Sequence, residues 1–137
     1  MSTHTRKRKL SVKGSTEIFS RINLILAEFL PAIYEYNSMI KHTGFYLKPV
    51  HITTRRLQDG TYVKYCYYGR YWYRLEKVSP SRIKWVYVGR EKPSPQLPDP
   101  PPNILEGVVV KKYNGEVEIE FASEELFREI SKRLYQI

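Results

Sequence analysis

The chain has 137 residues, with 23 lysines and arginines against 14 acidic residues and a formal net charge of +9. Its one cysteine excludes an intramolecular disulfide, and no apolar run approaches the roughly 18 residues that a membrane-spanning helix needs. Because hydrophobic residues make up 42% of the chain, we expect one folded domain with no membrane partner.

The positive charge is concentrated in two segments. Residues 1–14 carry a net charge of +5 and residues 61–92 carry +6, whereas the chain after residue 92 carries −3. This asymmetry predicts an anionic partner for the two basic segments. Solubility is the alternative explanation, because surface charge of either sign keeps a small protein in solution.

The N-terminal part is predicted to be an arm followed by a helix. Residues 1–14 should form a disordered basic arm, since four consecutive like charges repel one another. A hydroxyl and an acid then precede an apolar pattern with helical spacing, which predicts a helix over about 15–42. Pro31 should kink this helix or split it in two, and Gly44 marks its end.

Strand-forming residues dominate the middle of the chain. Residues 45–58 are predicted to be a strand plus a loop, and Pro49 favours an edge position for that strand. Residues 61–89 are rich in Tyr, Trp and Val, with a two-residue turn predicted at 69–70 and a Pro-containing turn at 79–82. This pattern predicts a three-stranded antiparallel meander.

Strand alternation assigns the side chains of this meander to two faces. One face, expected to pack against the N-terminal helix, contains Val63, Tyr65, Tyr67, Trp72, Arg74, Glu76, Val78, Ile83, Trp85 and Tyr87. The other face, expected to meet solvent, contains Tyr62, Lys64, Cys66, Tyr68, Tyr71, Tyr73, Leu75, Lys77, Lys84, Val86 and Val88. A bulge at Gly69 would exchange the faces of one strand.

The C-terminal part begins with six prolines in residues 93–102, which favour a stiff extended connector. Residues 103–137 then show two strand patterns around Asn114-Gly115, a strong hairpin signal, and a final amphipathic helix. The predicted fold class is α+β. A kinked N-terminal helix packs on an antiparallel meander, and the connector leads to a C-terminal hairpin plus helix. The predicted segments are the arm 1–14, the helix–sheet unit 15–92, the linker 93–102 and the ββα unit 103–137.

Basic and aromatic side chains together predict a nucleic-acid partner, DNA in preference to RNA. Tyrosine rings between lysines suit single strands, because bases stack on rings while ammonium groups hold phosphates. Duplex phosphates would also be served by the arginines and the arm. The alternative is that these rings are ordinary core residues of strands. The candidate nucleic-acid-binding residues are Arg6, Lys7, Arg8, Lys9, Lys64, Tyr68, Arg70, Tyr71, Tyr73, Lys77, Arg82, Lys84 and Arg90.

The side chains that metal or covalent catalysis needs are sparse. His4, His42, His51 and Cys66 show no paired ligand spacing, and no Gly-rich phosphate loop is present. Three glutamates alternate along one predicted strand, a pattern that a solvated face or a hard-cation site would each explain. They are Glu116, Glu118 and Glu120. We therefore expect a protein without a cofactor, a metal, a small-molecule substrate or enzymatic activity.

Two other hypotheses fit the same sequence. In the first, the protein is a virion structural or protein-interaction module, with the Pro-rich segment as a spacer or a ligand and residues 103–137 as a homodimer interface. In the second, it is a small nuclease that uses the glutamate row.

The stretch Tyr68–Arg74, followed by Lys84–Gly89, resembles a short aromatic hairpin of small uncharacterised archaeal proteins, some of them associated with mobile elements. The whole sequence is basic, rich in Tyr and Ile, and poor in Gln and Cys. In this it resembles orphan proteins of viruses that infect hyperthermophilic crenarchaea, such as the spherical viruses of Pyrobaculum, and few thermolabile residues agree with such a host. The resemblance implies a nucleic-acid protein of the host cytoplasm or the virion, and it supplies no catalytic residues.

Overall fold

A computed structural model describes residues 10–14 and 16–134 of the chain. The elements in chain order are β1 (Leu10–Gly14), α1 (Thr16–Ile40), β2 (Phe45–Arg56), β3 (Tyr62–Ser79), β4 (Arg82–Gly89), β5 (Val108–Tyr113), β6 (Glu116–Phe121) and α2 (Glu124–Leu134). The strands pair in the order β1-β6-β5-β3-β2, and β4 pairs with β3 outside this series. The predicted α+β class is confirmed, with a helix packed on an antiparallel sheet and a second helix at the C-terminal end.

The chain divides into two units, and α1, β2 and β3 each contribute residues to both. The first unit contains the chain up to Ile25, Ile52–Tyr67 and the chain from Gly107 onward. The second contains Leu26–His51 and Tyr68–Glu106. These units differ from the segments predicted from the sequence, because the first part of β3 pairs with β5 near the C-terminus and its last part pairs with β4.

Helix α1 follows the apolar pattern of the sequence. A short 3-10 turn, Lys41–Thr43, extends it, and Gly44 ends it in the left-handed region with φ of +82°. The predicted helix over 15–42 and its end at Gly44 are therefore confirmed for the described residues. Pro31 lies on an exposed position inside α1 and does not split the helix.

The first unit is built on the β5–β6 hairpin. Asn114 (φ 46°) and Gly115 (φ 76°) both occupy the left-handed region, as a two-residue type I′ turn requires, so the hairpin prediction is confirmed. Ser123 caps α2 by accepting a hydrogen bond from the N–H of Leu126. The buried side chains of this unit include Val108, Val110, Val117, Ile119, Phe121, Ile130 and Leu134.

Strand β1 corrects the prediction of an arm over 1–14. Residues Leu10–Gly14 pair antiparallel with β6, with Leu10 opposite Phe121 and Gly14 opposite Val117. The residues of β1 alternate between half-buried and exposed, as expected for a strand that covers one face of a sheet. The charge run that favours disorder ends at Lys9, which lies outside the described residues.

Strand β3 corrects the predicted turn at 69–70. It runs without interruption through this point because Gly69 lacks the positive φ that a two-residue hairpin turn needs. The side-chain amide of Asn103 holds the strand here, with Nδ2 donating to the carbonyl oxygen of Gly69 at 3.0 Å. The predicted meander is therefore a hairpin of two strands, one of them 18 residues long.

The core of the second unit forms around Trp72, which is fully buried. Tyr36, Ile40 and Leu47 pack with it, together with Leu97 from the proline-rich segment. The hydroxyl of Tyr36 also donates to the carbonyl oxygen of Pro98 at 2.7 Å. Residues 93–102 form neither helix nor strand, as predicted for a stiff extended connector. The prediction did not include their contribution to this core.

Candidate nucleic-acid interface

The pairing of β3 with β4 brings aromatic side chains of the second unit to one face. Tyr73 lies opposite Tyr87, and Leu75 lies opposite Trp85. The register shifts at Val78, which has no partner in the ladder, so the strand positions on either side of the Pro-containing turn are offset by one residue. This bulge places Trp85 and Tyr87 on the same face as Tyr73. The predicted alternation placed them on the face of Trp72.

The rings of this face form a continuous contact series. The imidazole of His51 stacks against Tyr71 (centroids 5.2 Å apart, planes at 24°) and against Tyr87 (5.3 Å, 25°). Tyr73 contacts Tyr87 at 5.4 Å and the edge of Trp85 at 6.0 Å. The rings of Trp85 and Tyr87 remain 45% and 44% exposed, so they present free ring area for a further aromatic group.

Two cations lie over rings of this series, and a third lies beside it. The ammonium of Lys48 lies over both Tyr73 (4.7 Å) and Trp85 (4.5 Å), and the guanidinium of Arg90 lies over Tyr71 at 5.8 Å. Lys77 is exposed on the same side of β3 as Tyr73. In the described residues 10–14 and 16–134, none of these three cations forms an ion pair with a carboxylate, so each keeps a charge available to an anion.

We call this set the aromatic surface and use the name below for the same residues throughout. Tyr46 joins the series through Trp85, with ring centroids 5.0 Å apart and planes at 74°. The members are Tyr46, Lys48, His51, Tyr71, Tyr73, Lys77, Trp85, Tyr87 and Arg90.

A hydrogen bond fixes the centre of the aromatic surface. The Nδ1 atom of His51 and the hydroxyl of Tyr73 are 2.8 Å apart. Burial raises the pKa of Tyr73 above its ordinary value, and the neighbouring Tyr87 adds to the effect. Tyr73 therefore stays neutral at physiological pH, and the surface carries only positive formal charges.

An apolar groove opens beside Trp85 at the edge of the aromatic surface. It has a volume of about 320 Å³, and its walls come from three strands and from the end of α1 with the turn that follows it. Tyr46, Leu75 and Trp85 form the strand side of this groove. On the helix side, α1 contributes Tyr34 and Ser38, and the 3-10 turn after it contributes Lys41, all of them exposed.

The structure distributes the predicted site residues over several places. Tyr71, Tyr73, Lys77 and Arg90 belong to the aromatic surface. Tyr68 is buried, and Arg70 lies 3.8 Å from the carboxylate of Glu106, with its Nε atom buried. Lys64 lies in the first unit, whereas Arg82 and Lys84 are exposed on the opposite face of β4. The predicted arm residues Arg6, Lys7, Arg8 and Lys9 lie outside the described residues.

The predicted exposure of the meander residues is wrong for two groups of side chains. Cys66, Tyr68 and Tyr71 were expected to meet solvent but are buried. Trp85 and Tyr87 were expected to be buried but are exposed. The uninterrupted course of β3 places Cys66 and Tyr68 on the same side as Trp72. Tyr71 lies on the other side, where His51 and Arg90 cover its ring. The bulge at Val78 accounts for the exposed Trp85 and Tyr87.

Five members of the aromatic surface were not among the predicted site residues: Tyr46, Lys48, His51, Trp85 and Tyr87. The alternation of Trp85 and Tyr87 was visible in the sequence, but their face depends on the bulge. Tyr46, Lys48 and His51 lie in β2, and only the pairing of β2 with β3 brings them to this site. No local pattern marks that pairing.

The alternative chemical sites gain no support from the described residues. Among them, no group of three or more His, Cys, Asp or Glu side chains is placed to hold a metal ion. Glu118 accepts a hydrogen bond from the hydroxyl of Ser11 at 2.6 Å. Burial raises the pKa of the Cys66 thiol, with Lys64 and Lys112 acting in the opposite direction, so this cysteine is a poor nucleophile.

Comparison of the chain with protein-family models, curated proteins and solved structures gave no match. Neither helix, within the part of the chain that the structure describes, combines the length and the apolar character that crossing a bilayer requires.

Proposed function

We propose that the protein binds single-stranded nucleic acid through its aromatic surface and performs no catalysis there. The observation that carries the proposal is the pair of half-exposed rings, Trp85 and Tyr87, flanked by cations without carboxylate partners. Bases stack on such rings with about 1–3 kcal/mol each, and every base has a face that can do so. DNA is the preferred partner in this proposal, and RNA is the alternative.

The geometry favours single strands over duplexes. In a duplex the faces of the bases are occupied by their neighbours, so exposed rings on a sheet have nothing to stack on. The cations would hold the phosphates between successive bases, with Lys48 and Lys77 on the strands and Arg90 at the end of β4. The binding should therefore depend little on sequence, since neither stacking nor phosphate contacts read base edges.

The N-terminal basic residues Arg6, Lys7, Arg8 and Lys9 are proposed to add phosphate contacts. The resemblance to crenarchaeal virus proteins supports a role in the host cytoplasm or in the virion, and detection of the protein in purified particles would separate these two settings.

Fluorescence anisotropy with labelled oligonucleotides tests the proposal. At low salt, the protein should bind single-stranded DNA more tightly than duplex DNA of the same length. Trp85→Ala and Tyr87→Ala should each weaken single-strand binding about fivefold or more, because each removes one stacking ring. The matched control is Tyr62→Ala, which removes a tyrosine that is more exposed, at 60%, but lies on β3 in the first unit. Absence of binding to every oligonucleotide, or equal losses in all three variants, would contradict the proposal.

A further inference from the structure

We infer that the apolar groove beside Trp85 is a binding site for one unstacked nucleobase of the bound strand. The inference rests on the proposed function and specifies a part of it that the aromatic surface alone does not define. It concerns a concave site next to the flat stacking surface, with walls from both α1 and the strands of the second unit.

The size and lining of the groove fit a planar aromatic ligand. Its volume of about 320 Å³ lies at the lower end of the range for small-molecule pockets, which is suitable for one base with part of its sugar. Its walls include Tyr34, Tyr46 and Trp85, so a base entering it would meet aromatic rings. Single-stranded bases are commonly held in this way, splayed out from the strand and stacked on aromatic side chains.

The position of the groove favours a base over an apolar peptide side chain. The ring of Trp85 belongs to the groove and to the aromatic surface, so a strand lying on that surface passes the mouth of the groove. The ammonium of Lys48 lies 4.5 Å from the centroid of the same ring, and Lys41 lines the groove from the turn after α1. The side chains lining the groove include no carboxylate, which leaves this charge pattern complementary to an adjacent phosphate.

Few polar groups are available to read the edge of the base. The amide of Asn37 lines the groove, but its Nδ2 donates to the carbonyl oxygen of Leu47 and its Oδ1 accepts from the N–H of Leu47. The hydroxyls of Tyr34, Ser38 and Tyr46 and the ammonium of Lys41 remain as groups that can donate to a base. All four bases present acceptors to such donors, so the groove should accept any of them.

The test fills the groove without replacing any of the stacking rings. Ser38 is exposed on α1, so Ser38→Phe should preserve the fold while its ring occupies the space of the base. Ala32→Phe is the matched control, since Ala32 is exposed on the same helix and does not line the groove. The probe is a labelled single-stranded DNA of about 12 nucleotides, within the usual range of single-strand site sizes.

Ser38→Phe should weaken binding by about fivefold or more, with Ala32→Phe unchanged. The slope of log affinity against log salt should stay the same in Ser38→Phe, because the groove contributes a base contact and no phosphate contact. Replacement of one nucleotide by an abasic site should cost less affinity in Ser38→Phe than in the unaltered protein, because the contact is already lost.

Three results separate the two claims. If Ser38→Phe binds like the unaltered protein while Trp85→Ala is weakened, the groove inference is wrong and the proposed function stands. If Ser38→Phe loses affinity together with a reduced salt slope, the groove holds phosphate and the inference of a base site is overturned. If the unaltered protein binds no oligonucleotide, the proposed function fails, and the groove inference fails with it.

Discussion

The two tryptophans of the chain have opposite environments. Trp72 is fully buried in the second unit, where its ring meets the edge of Tyr36 at 6.0 Å, whereas Trp85 is 45% exposed. Strand alternation predicted one shared, buried face for both. The difference arises at a single position, because the unpaired Val78 shifts the register of β4 by one residue.

This contrast gives a direct spectroscopic prediction. Iodide should quench part of the tryptophan emission of the unaltered protein, and Trp85→Phe should leave an emission that is blue-shifted and shielded from iodide. Single-stranded DNA should quench only the Trp85 component, because stacking on its ring is the proposed contact. Quenching by DNA that persists in Trp85→Phe would contradict this assignment.

Asn37 is a buried polar residue whose role is structural. Its amide makes two hydrogen bonds of 2.8 Å with the backbone of Leu47, which joins α1 to β2. Asn37→Ala would leave a buried N–H and a buried C=O without partners, and we expect it to lower the free energy of unfolding by about 2 kcal/mol. Urea denaturation measures this, with Ser38→Ala as the neighbouring exposed control. An unchanged midpoint would show that the two backbone groups find other partners.

Three weakly acidic side chains with raised pKa values predict lower stability at alkaline pH. Burial raises the pKa of Tyr36, with Asp99 adding to the effect, and it also raises the pKa values of Tyr73 and Cys66. The unfolded chain therefore loses these protons at lower pH than the folded chain. The stability contributed by the protonated groups is complete below about pH 8 and falls as the pH rises past their ordinary values of about 8.5 for Cys and 10 for Tyr.

Urea midpoints at neutral pH and near pH 10 test this dependence. Tyr36→Phe should show a smaller alkaline loss than the unaltered protein, because it has no phenol to ionise. At neutral pH it should be less stable by about 1 kcal/mol, since the hydrogen bond to Pro98 is absent. Equal alkaline losses in both proteins would exclude Tyr36 as a contributor.

At the scale of elements, the sequence predicted correctly those features that depend on a few adjacent residues. The apolar pattern and Gly44 defined α1, and Asn114-Gly115 defined the β5–β6 hairpin, because caps and turns depend on a few adjacent residues. Gly69 also favoured a turn, but the strand continues through it. The backbone at Gly69 is held by Asn103, which is 34 positions away and donates to the carbonyl oxygen of Gly69. The sequence could not show this contact, and the faces of the aromatic residues depend on it.

The β5–β6 turn gives a prediction at the same scale. A Cβ atom at Gly115 would meet nothing within 4 Å, so a substitution there acts through the backbone alone. With φ at 76°, Gly115→Val should lower the free energy of unfolding by about 1–2 kcal/mol. Gly69→Ala is the contrast, since Gly69 has no positive φ. A smaller loss at Gly115 than at Gly69 would contradict the assigned turn.

At the scale of the whole molecule, the structure changes which residues belong to the two basic segments predicted from the sequence. Residues 10–14 of the predicted arm form β1, and part of the +6 block lies away from the aromatic surface, as Lys84 does on the opposite face of β4. The homodimer through residues 103–137 stays a prediction. Because β5 and β6 are internal strands, light scattering on the full chain is the suitable measurement, and a mass of one chain at all concentrations would exclude the dimer.

The basic residues 6–9 lead to a prediction about the salt dependence of binding. A variant that lacks residues 1–9 retains β1 and should keep its fold. It loses four bases, so the slope of log affinity for single-stranded DNA against log salt should become shallower by about 3. An unchanged slope would remove the arm from the binding mechanism.

The most direct test of the aromatic surface as a single-strand binding site is a comparison of two proteins, the unaltered chain and the double variant Trp85→Ala, Tyr87→Ala. Their affinities for a labelled oligothymidylate should be measured over a range of salt concentrations. We predict that the double variant binds about tenfold or more weakly at every salt concentration with an unchanged slope, because it loses stacking and keeps its phosphate contacts. Equal affinities of the two proteins across the salt range would contradict the central claim.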